Sequence, residues 1–250
     1  MRVGTHEIGP GQPVFVIAEI GVNHDGSVER AIELVRSAKA AGADAVKLQV
    51  FAADRLMHRS ARFAEYQASR VDAADPAEML RKYELDDGAL AMLADAARRE
   101  GIALLATPFS PEDVPRVARI SDAIKIASPD LVNRVLIAKT QATNDSSTET
   151  GTRLPLLLST GAATADEVAR SVEWLRSHGT TFALLHCVSS YPVTAADAQI
   201  GWIGWLSKFG VPVGYSDHTT DVVTGALAVA AGACIVEKHI TYDTRAAGPD

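Results

Sequence analysis

The sequence predicts an α/β protein folded as a (β/α)8 TIM barrel. Three observations carry that prediction. Eight short apolar runs recur along the chain. Amphipathic stretches with helical spacing separate most of them. The chain has 250 residues, a length that suits one such barrel.

The runs are Val14–Ile20, Ala45–Val50, Ala103–Thr107, Ala123–Ala127, Leu154–Ser159, Phe182–Cys187, Val211–Tyr215 and Cys234–Ile240. Each is 5 to 7 residues long and nearly continuous in apolar residues. Strands buried on both faces need that continuity, and parallel sheets bury both faces. Helical patterns are expected over Val28–Ala41, Asp86–Glu100, Pro111–Ile120, Asn133–Thr140 and Thr164–His178. Ser27, Thr164 and the run Ser110-Pro111-Glu112-Asp113 supply start signals, and Gly42, Gly101 and Gly179 supply stops. The tract Thr220–Ala233 is small and apolar, and is read as a buried helix. Strand–helix alternation implies parallel strands joined by right-handed crossovers. Eight units favour a closed barrel over an open sheet, and no GxGxxG follows the first run.

Three segments depart from a minimal barrel. Residues 1–13 contain Gly9, Pro10, Gly11 and Pro13, and are expected to form a hairpin-like cap on the barrel floor. Residues 52–85 make a long connection, read as a substrate lid over the mouth. Residues 141–153 are polar and read as a flexible surface loop. Residues 1–250 are taken as a single barrel domain. Only Thr241–Asp250 follow the eighth run, so the final barrel helix is absent from the chain. The expectation is that the chain is a fragment or that a partner covers the gap.

Composition excludes several classes. Hydrophobic residues make up 47% and charged residues 22%, which suits a packed core and not disorder. Net charge is −7 and the isoelectric point is about 5.5, which argues against nucleic acid as a partner. The N-terminus lacks a signal-peptide apolar core, and no run of 18 apolar residues exists to span a membrane. Cys187 and Cys234 sit inside apolar runs, form no CxxC, and read as buried thiols. The low cysteine content fits a reducing, cytoplasmic compartment.

In this fold the chemistry lies at the carboxyl ends of the strands. The polar residues there are Glu19, Asn23 and His24; Lys47 and Gln49; Thr107; and Lys125, Ser128 and Asp130. The second half of the chain adds Ser159 and Thr160; His186, Ser189 and Tyr191; Ser216, Asp217 and His218; and Glu237, Lys238 and His239. Burying an unpaired charge costs several kcal/mol, so core strands rarely carry Lys or Glu. A ring of such residues points to a site. His218 and His239 end neighbouring runs and can converge on one divalent ion with open positions for substrate. Taken alone, each histidine is as well explained as a hydrogen-bonded core residue. Lys47 and Lys125 would flank the phosphate and carboxylate of a dianionic substrate, with hydroxyls from Thr107, Ser128, Ser159 and Ser216. The alternative is that these lysines are paired with Glu19, Glu237 or Asp130. His6, His24, His58 and His178 read as surface or loop residues, and Asp25 and Asp44 as turn or helix-end residues.

The motifs FVIAEIGVNHDGS, AGADAVKLQ, LLATPFS, IKIAS, LLLSTG, LLHCVSSYP, VGYSDHT, GACIVEKHIT and the terminal GPD are all present in order. Together they resemble the sialic acid (N-acetylneuraminate) synthase family, which includes legionaminate, pseudaminate and spore-coat polysaccharide synthases. The resemblance implies condensation of phosphoenolpyruvate with an N-acetylmannosamine-like aldose to give a sialic-type acid and phosphate. It implies a divalent metal on His218 and His239, Mn²⁺ first, with Mg²⁺ or Co²⁺ as substitutes. It implies that Lys47, Thr107, Lys125, Ser128, Ser159, Ser189 and Ser216 hold phosphoenolpyruvate. Glu19, Gln49, Tyr191 and Asp250 would face the N-acetylated amino sugar, and Asp130 stands where the family usually has glutamate. The family's homodimer is the precedent for assembly. Two departures concern the acceptor sugar: residues 59–76 do not match the sugar-contacting region, and the family's C-terminal antifreeze-like domain is absent. Two other readings remain open at this point. One is another metal-dependent barrel lyase or isomerase acting on a sugar phosphate. The other is a truncated, non-catalytic ligand-binding barrel.

Overall fold

The computed structural model describes residues 1–57, 75–146 and 153–246. Two short antiparallel strands open the chain: β1 (Arg2–Val3) and β2 (His6–Glu7). Eight parallel strands follow and close on one another: β3 (Phe15–Gly21), β4 (Ala45–Val50), β5 (Ala103–Pro108), β6 (Ala123–Ile126), β7 (Leu156–Ser159), β8 (Phe182–His186), β9 (Val213–Asp217) and β10 (Ile235–His239). The circuit closes where β10 pairs with β3, aligning His239 with Glu19. The expected barrel and N-terminal cap are therefore both present.

The helices form for the reasons their sequences suggest. In α1 (Val28–Ala40), Ala31, Leu34, Val35 and Ala38 fall on one buried face. The Ser27 hydroxyl caps it by accepting from the Arg30 amide at 3.2 Å. A capping box between Thr164 and Glu167 starts α7 (Ala165–Ser177). Gly42, Gly101 and Gly179 all take positive φ after their helices, where a side chain would be strained. The remaining helices up to α7 are α2 (Ala53–Leu56), α3 (Pro76–Arg81), α4 (Asp87–Glu100), α5 (Val114–Ile120) and α6 (Arg134–Ser146).

Several expectations need correction. In the connection 52–85, read as a lid, α2 and α3 occupy the two ends, and residues 58–74, His58 among them, lie outside the described residues. Arg81 pairs with Asp54, and the Ala53 amide donates to Glu84 at 2.7 Å, so the two ends are tied together. The polar loop expected from residue 141 instead continues α6 to Ser146. Between β8 and β9 a short helix, α8 (Trp202–Leu206), was not foreseen. Its two glycine-bounded turns carry no helical apolar repeat long enough to read.

Helix α9 (Thr224–Ala230) exists but is not buried as expected. Only Thr224 and Ala228 turn inward, while Val222 is 88% exposed and Val223 and Leu227 lie about half in solvent. Composition announced an apolar helix but could not say that its outer face has no cover among the described residues. No described helix is long and apolar enough to cross a membrane.

Inside the barrel the lower half is apolar. Val3 and Ile8 from the cap pack against Phe15, Ile17, Leu105, Leu157, Leu185 and Ile235. Gly214 is part of this layer: a Cβ there would lie 2.6 Å from Ile235 Cβ and 2.8 Å from its carbonyl oxygen. The floor is thus a filled plug, and polar residues begin one strand step above it.

Candidate active site

Strand alternation decides which side chains enter the barrel. Glu19, Lys47, Gln49, Thr107, Lys125, Ser159, Ser216 and Glu237 enter above the apolar plug, and all but Gln49 are almost wholly buried. Glu19 and Lys47 are register partners on β3 and β4, and Lys47 Nζ stands 2.8 Å from Glu19 Oε2. Gln49 Nε2 donates to Glu19 Oε1 at 3.2 Å, and Lys47 Nζ reaches Thr107 Oγ1 at 3.5 Å. On the far side, Lys125 Nζ donates to Ser159 Oγ at 2.7 Å and lies 3.6 Å from Glu237 Oε1. Glu237 Oε2 is 3.8 Å from Lys47 Nζ, and Ser216 Oγ donates to Glu237 Oε1 at 2.7 Å.

The result is one buried cluster of two cations and two carboxylates. The lysines are paired with Glu19 and Glu237, and both lie inside the barrel above its apolar floor. Glu237 was noted in the sequence only as a strand-end charge and a pairing candidate. Geometry makes it the central carboxylate, touching both lysines and Ser216. The one signal for it was a Glu two residues before His239, on the same side of the strand.

Burial raises the pKa of both carboxyls, but the net outcome differs. Burial would raise Glu237, but Lys125, Lys47 and the Ser216 hydroxyl outweigh it and hold the carboxyl down at about 2. Burial wins at Glu19 and raises its pKa despite Lys47. Lys125 is lowered, chiefly by burial. The two carboxyls thus differ in proton affinity, Glu19 holding a proton more readily than Glu237.

The two histidines sit above this cluster. Their ring centroids are 5.9 Å apart. The Nδ1 of His218 lies 2.7 Å from the Val188 carbonyl, which can only accept, so Nδ1 carries the proton. That leaves Nε2 as a lone-pair donor, directed at Tyr191 OH (3.1 Å) and Ser216 Oγ (3.4 Å). Burial holds His218 at about 4, so its imidazole is neutral at physiological pH. A neutral ring with a pinned Nδ1 and an available Nε2 is the form a divalent metal requires. His239 completes a two-imidazole set, and Tyr191 stacks on His218 at 4.2 Å and meets His239 edge-on at 6.0 Å. Among the described residues no group of three His, Cys, Asp or Glu side chains gathers as a ligand set. A metal on the two imidazoles would take its remaining ligands from water or substrate, as catalytic sites do.

The remaining candidates are placed as follows. Ser128 opens a 3₁₀ turn after β6, where its Oγ accepts from the Ala162 amide at 2.6 Å and lies 3.3 Å from Ser189 Oγ. Ser128, Ser189 and the buried thiol of Cys187 thus form a polar rim between β6 and β8. Asp130 is on the same turn, where Asn133 Nδ2 donates to it at 2.9 Å, and burial raises its pKa. Asp250 lies outside the described residues.

His24, read as a surface or loop residue, lies in the turn after β3 but is 1% exposed, and its Nδ1 accepts from the Gly26 amide at 3.0 Å. Burial lowers it to about 4. His186, a strand-end candidate, bonds the Ala198 carbonyl at 2.8 Å and stacks on Tyr215, so it braces the 3₁₀ turn Ala195–Ala198 rather than the cluster.

The chain is similar to known proteins along most of its length. The family model described as NeuB matches residues 34–250. The chain is 35% identical to the N,N'-diacetyllegionaminic acid synthase of Legionella pneumophila, over 97% of this chain and 68% of that protein. It is 32% identical to the pseudaminic acid synthase of Campylobacter jejuni, over 97% of this chain and 69% of that one. Among solved structures, the N-acetylneuraminic acid synthetase of Leptospira borgpetersenii, in complex with citrate, superposes with a TM-score of 0.82 at 32% identity. That match covers 97% of this chain and 78% of the other. With the barrel, the buried Lys–Glu cluster and these matches together, the chain belongs to the NeuB family of phosphoenolpyruvate-dependent nonulosonic acid synthases.

Proposed function

We propose that this chain joins phosphoenolpyruvate to an N-acetylmannosamine-like aldose, giving a sialic-type acid and inorganic phosphate. The carrying observation is the buried pair Lys47 and Lys125, held by two carboxylates at the base of an otherwise polar mouth. Two ammonium groups in a low-dielectric cavity suit a small molecule bearing both phosphate and carboxylate.

In this reading Lys47, Lys125, Thr107, Ser159 and Ser216 hold phosphoenolpyruvate, with Ser128 and Ser189 at the rim. Glu19, Gln49 and Tyr191 face the acceptor, as would Asp250. The C3 carbon of phosphoenolpyruvate forms a bond to the aldehyde carbon, and positive charge develops at C2. Glu19 is placed to stabilise that charge and to take the proton of the water that adds at C2. The C2–O bond to phosphate then breaks, and the lysines neutralise the departing dianion. Asp130 stands on the turn after β6, and its burial-raised pKa suits a proton donor. A divalent metal on His218 and His239, Mn²⁺ first, would supply Lewis-acid polarisation of the aldehyde oxygen.

The test is to supply purified protein with Mn²⁺ and phosphoenolpyruvate and to screen N-acetylated mannose derivatives for phosphate release. Release that depends on one of these acceptors is expected. Binding of both Mn²⁺ and phosphoenolpyruvate, with no release from any acceptor, would overturn the proposal.

A further inference from the structure

His218 and His239 enter the barrel, so the residues just before them, Asp217 and Lys238, face outward. Asp217 and Lys238 are register partners on β9 and β10. The Asp217 side chain is fully buried beneath α9, while that of Lys238 is 36% exposed. The Lys238 ammonium makes two bonds of 2.8 Å, one to Asp217 Oδ2 and one to the Thr219 carbonyl. These two acceptors are the residues on either side of His218. A single cation from the strand that carries one imidazole therefore brackets the backbone that carries the other.

The bracket is reinforced locally. The Thr219 amide donates to Asp217 Oδ1 at 2.9 Å, and Thr224 Oγ1 donates to Oδ2 at 2.7 Å. The His218 carbonyl accepts from the Val193 amide at 3.0 Å. These bonds hold the turn itself, and the Lys238 ammonium ties it to β10. Without that tie, the spacing between the two rings depends on strand pairing that ends at Lys238 and Asp217.

We propose that Lys238 is a positioning residue for a metal on His218 and His239, acting through Asp217 and Thr219 without touching the ion. The inference rests on the metal reading given above. Supporting groups behind metal-bound histidines typically change affinity by about 10- to 100-fold when removed.

The experiment titrates the full chain with Mn²⁺ in the absence of substrate, reading free Mn²⁺ by electron paramagnetic resonance. Lys238→Met should weaken Mn²⁺ binding about tenfold or more while circular dichroism reports an intact fold. Lys238→Arg, which keeps the charge and two donors, should restore affinity to within about threefold of the parent. Turnover of Lys238→Met should recover at high Mn²⁺, with KM for phosphoenolpyruvate little changed, a split that general destabilisation would not produce. If Lys238→Met fails to fold, Lys238→Gln takes its place under the same criterion. Equal Mn²⁺ affinity in the parent and the Met variant overturns the positioning role alone. A parent chain that binds no Mn²⁺ overturns the metal reading and this inference with it.

Discussion

Glu19 and Lys47 stand opposite each other on β3 and β4, and their charges meet 2.8 Å apart inside the barrel. Neither side chain has appreciable contact with solvent. An ion pair so placed contributes little net stability, because desolvation offsets the attraction, but breaking it is expensive.

The two residues should therefore show strong coupling. Lys47→Met leaves Glu19 and Glu237 short of a counter-charge and should cost about 3–5 kcal/mol. Adding Glu19→Gln should recover about 2 kcal/mol of that loss, as contacting residues do in double-mutant cycles. Urea unfolding of the parent, both single variants and the double variant measures the coupling. Strict additivity would show that the pair does not interact as described.

Replacing either imidazole separates chemistry from folding. His218→Ala and His239→Ala should each reduce phosphate release to background, while the thermal midpoint shifts by only a few degrees. A stopped assay beside a melting curve on the same samples checks this. Appreciable turnover in either variant would argue against both histidines holding the metal.

His24 gives a pH prediction. Its folded pKa, about 4, is below the unfolded value of 6.5, and its largest cause is burial. The unfolded state therefore binds the proton more readily, and stability falls as pH drops from about 6.5 toward 4. The full effect is roughly 3 kcal/mol, spent only at the acid end of that window. His24→Asn keeps an acceptor for the Gly26 amide but cannot be protonated. Its stability deficit relative to the parent should shrink or reverse between pH 7 and pH 4.5 in urea titrations. An identical deficit at both values would mean that His24 does not titrate in this way.

Gly214 offers a packing test. A methyl group there would meet Ile235 Cβ at 2.6 Å and Leu185 Cγ at 3.2 Å, inside the filled floor of the barrel. Gly214→Ala should destabilise the protein by about 1–3 kcal/mol through overpacking, although alanine suits a strand better than glycine does. A melting curve unchanged or raised would show that the floor is looser than described.

Much of the frame was legible because it depends on local pattern. The run AVKLQV became β4 with the same two ends that apolar continuity suggested. The Thr164–Glu167 pair became a capping box, since both partners lie within one helical turn. The short helix α8 was not legible. Its Gly204 and a 3₁₀ continuation over Ser207–Phe209 break any periodic signal, and packing against β8 and β9 holds it instead. The burial of His24 was hidden for a related reason: a polar loop sequence does not disclose what folds over it.

By itself the sequence determined the eight strands, their parallel closure, and the set of polar residues at their carboxyl ends. Apolar continuity and helical spacing are properties of neighbouring residues, so they survive without coordinates. Only the tertiary structure decided which of those polar residues meet. Strands buried on both faces carry no outward-facing polar stripe, so Glu237 and His239 read no differently from Lys238 between them. Closing the ring turned the first two into the barrel, where Glu237 joins both lysines, and sent Lys238 outward to Asp217.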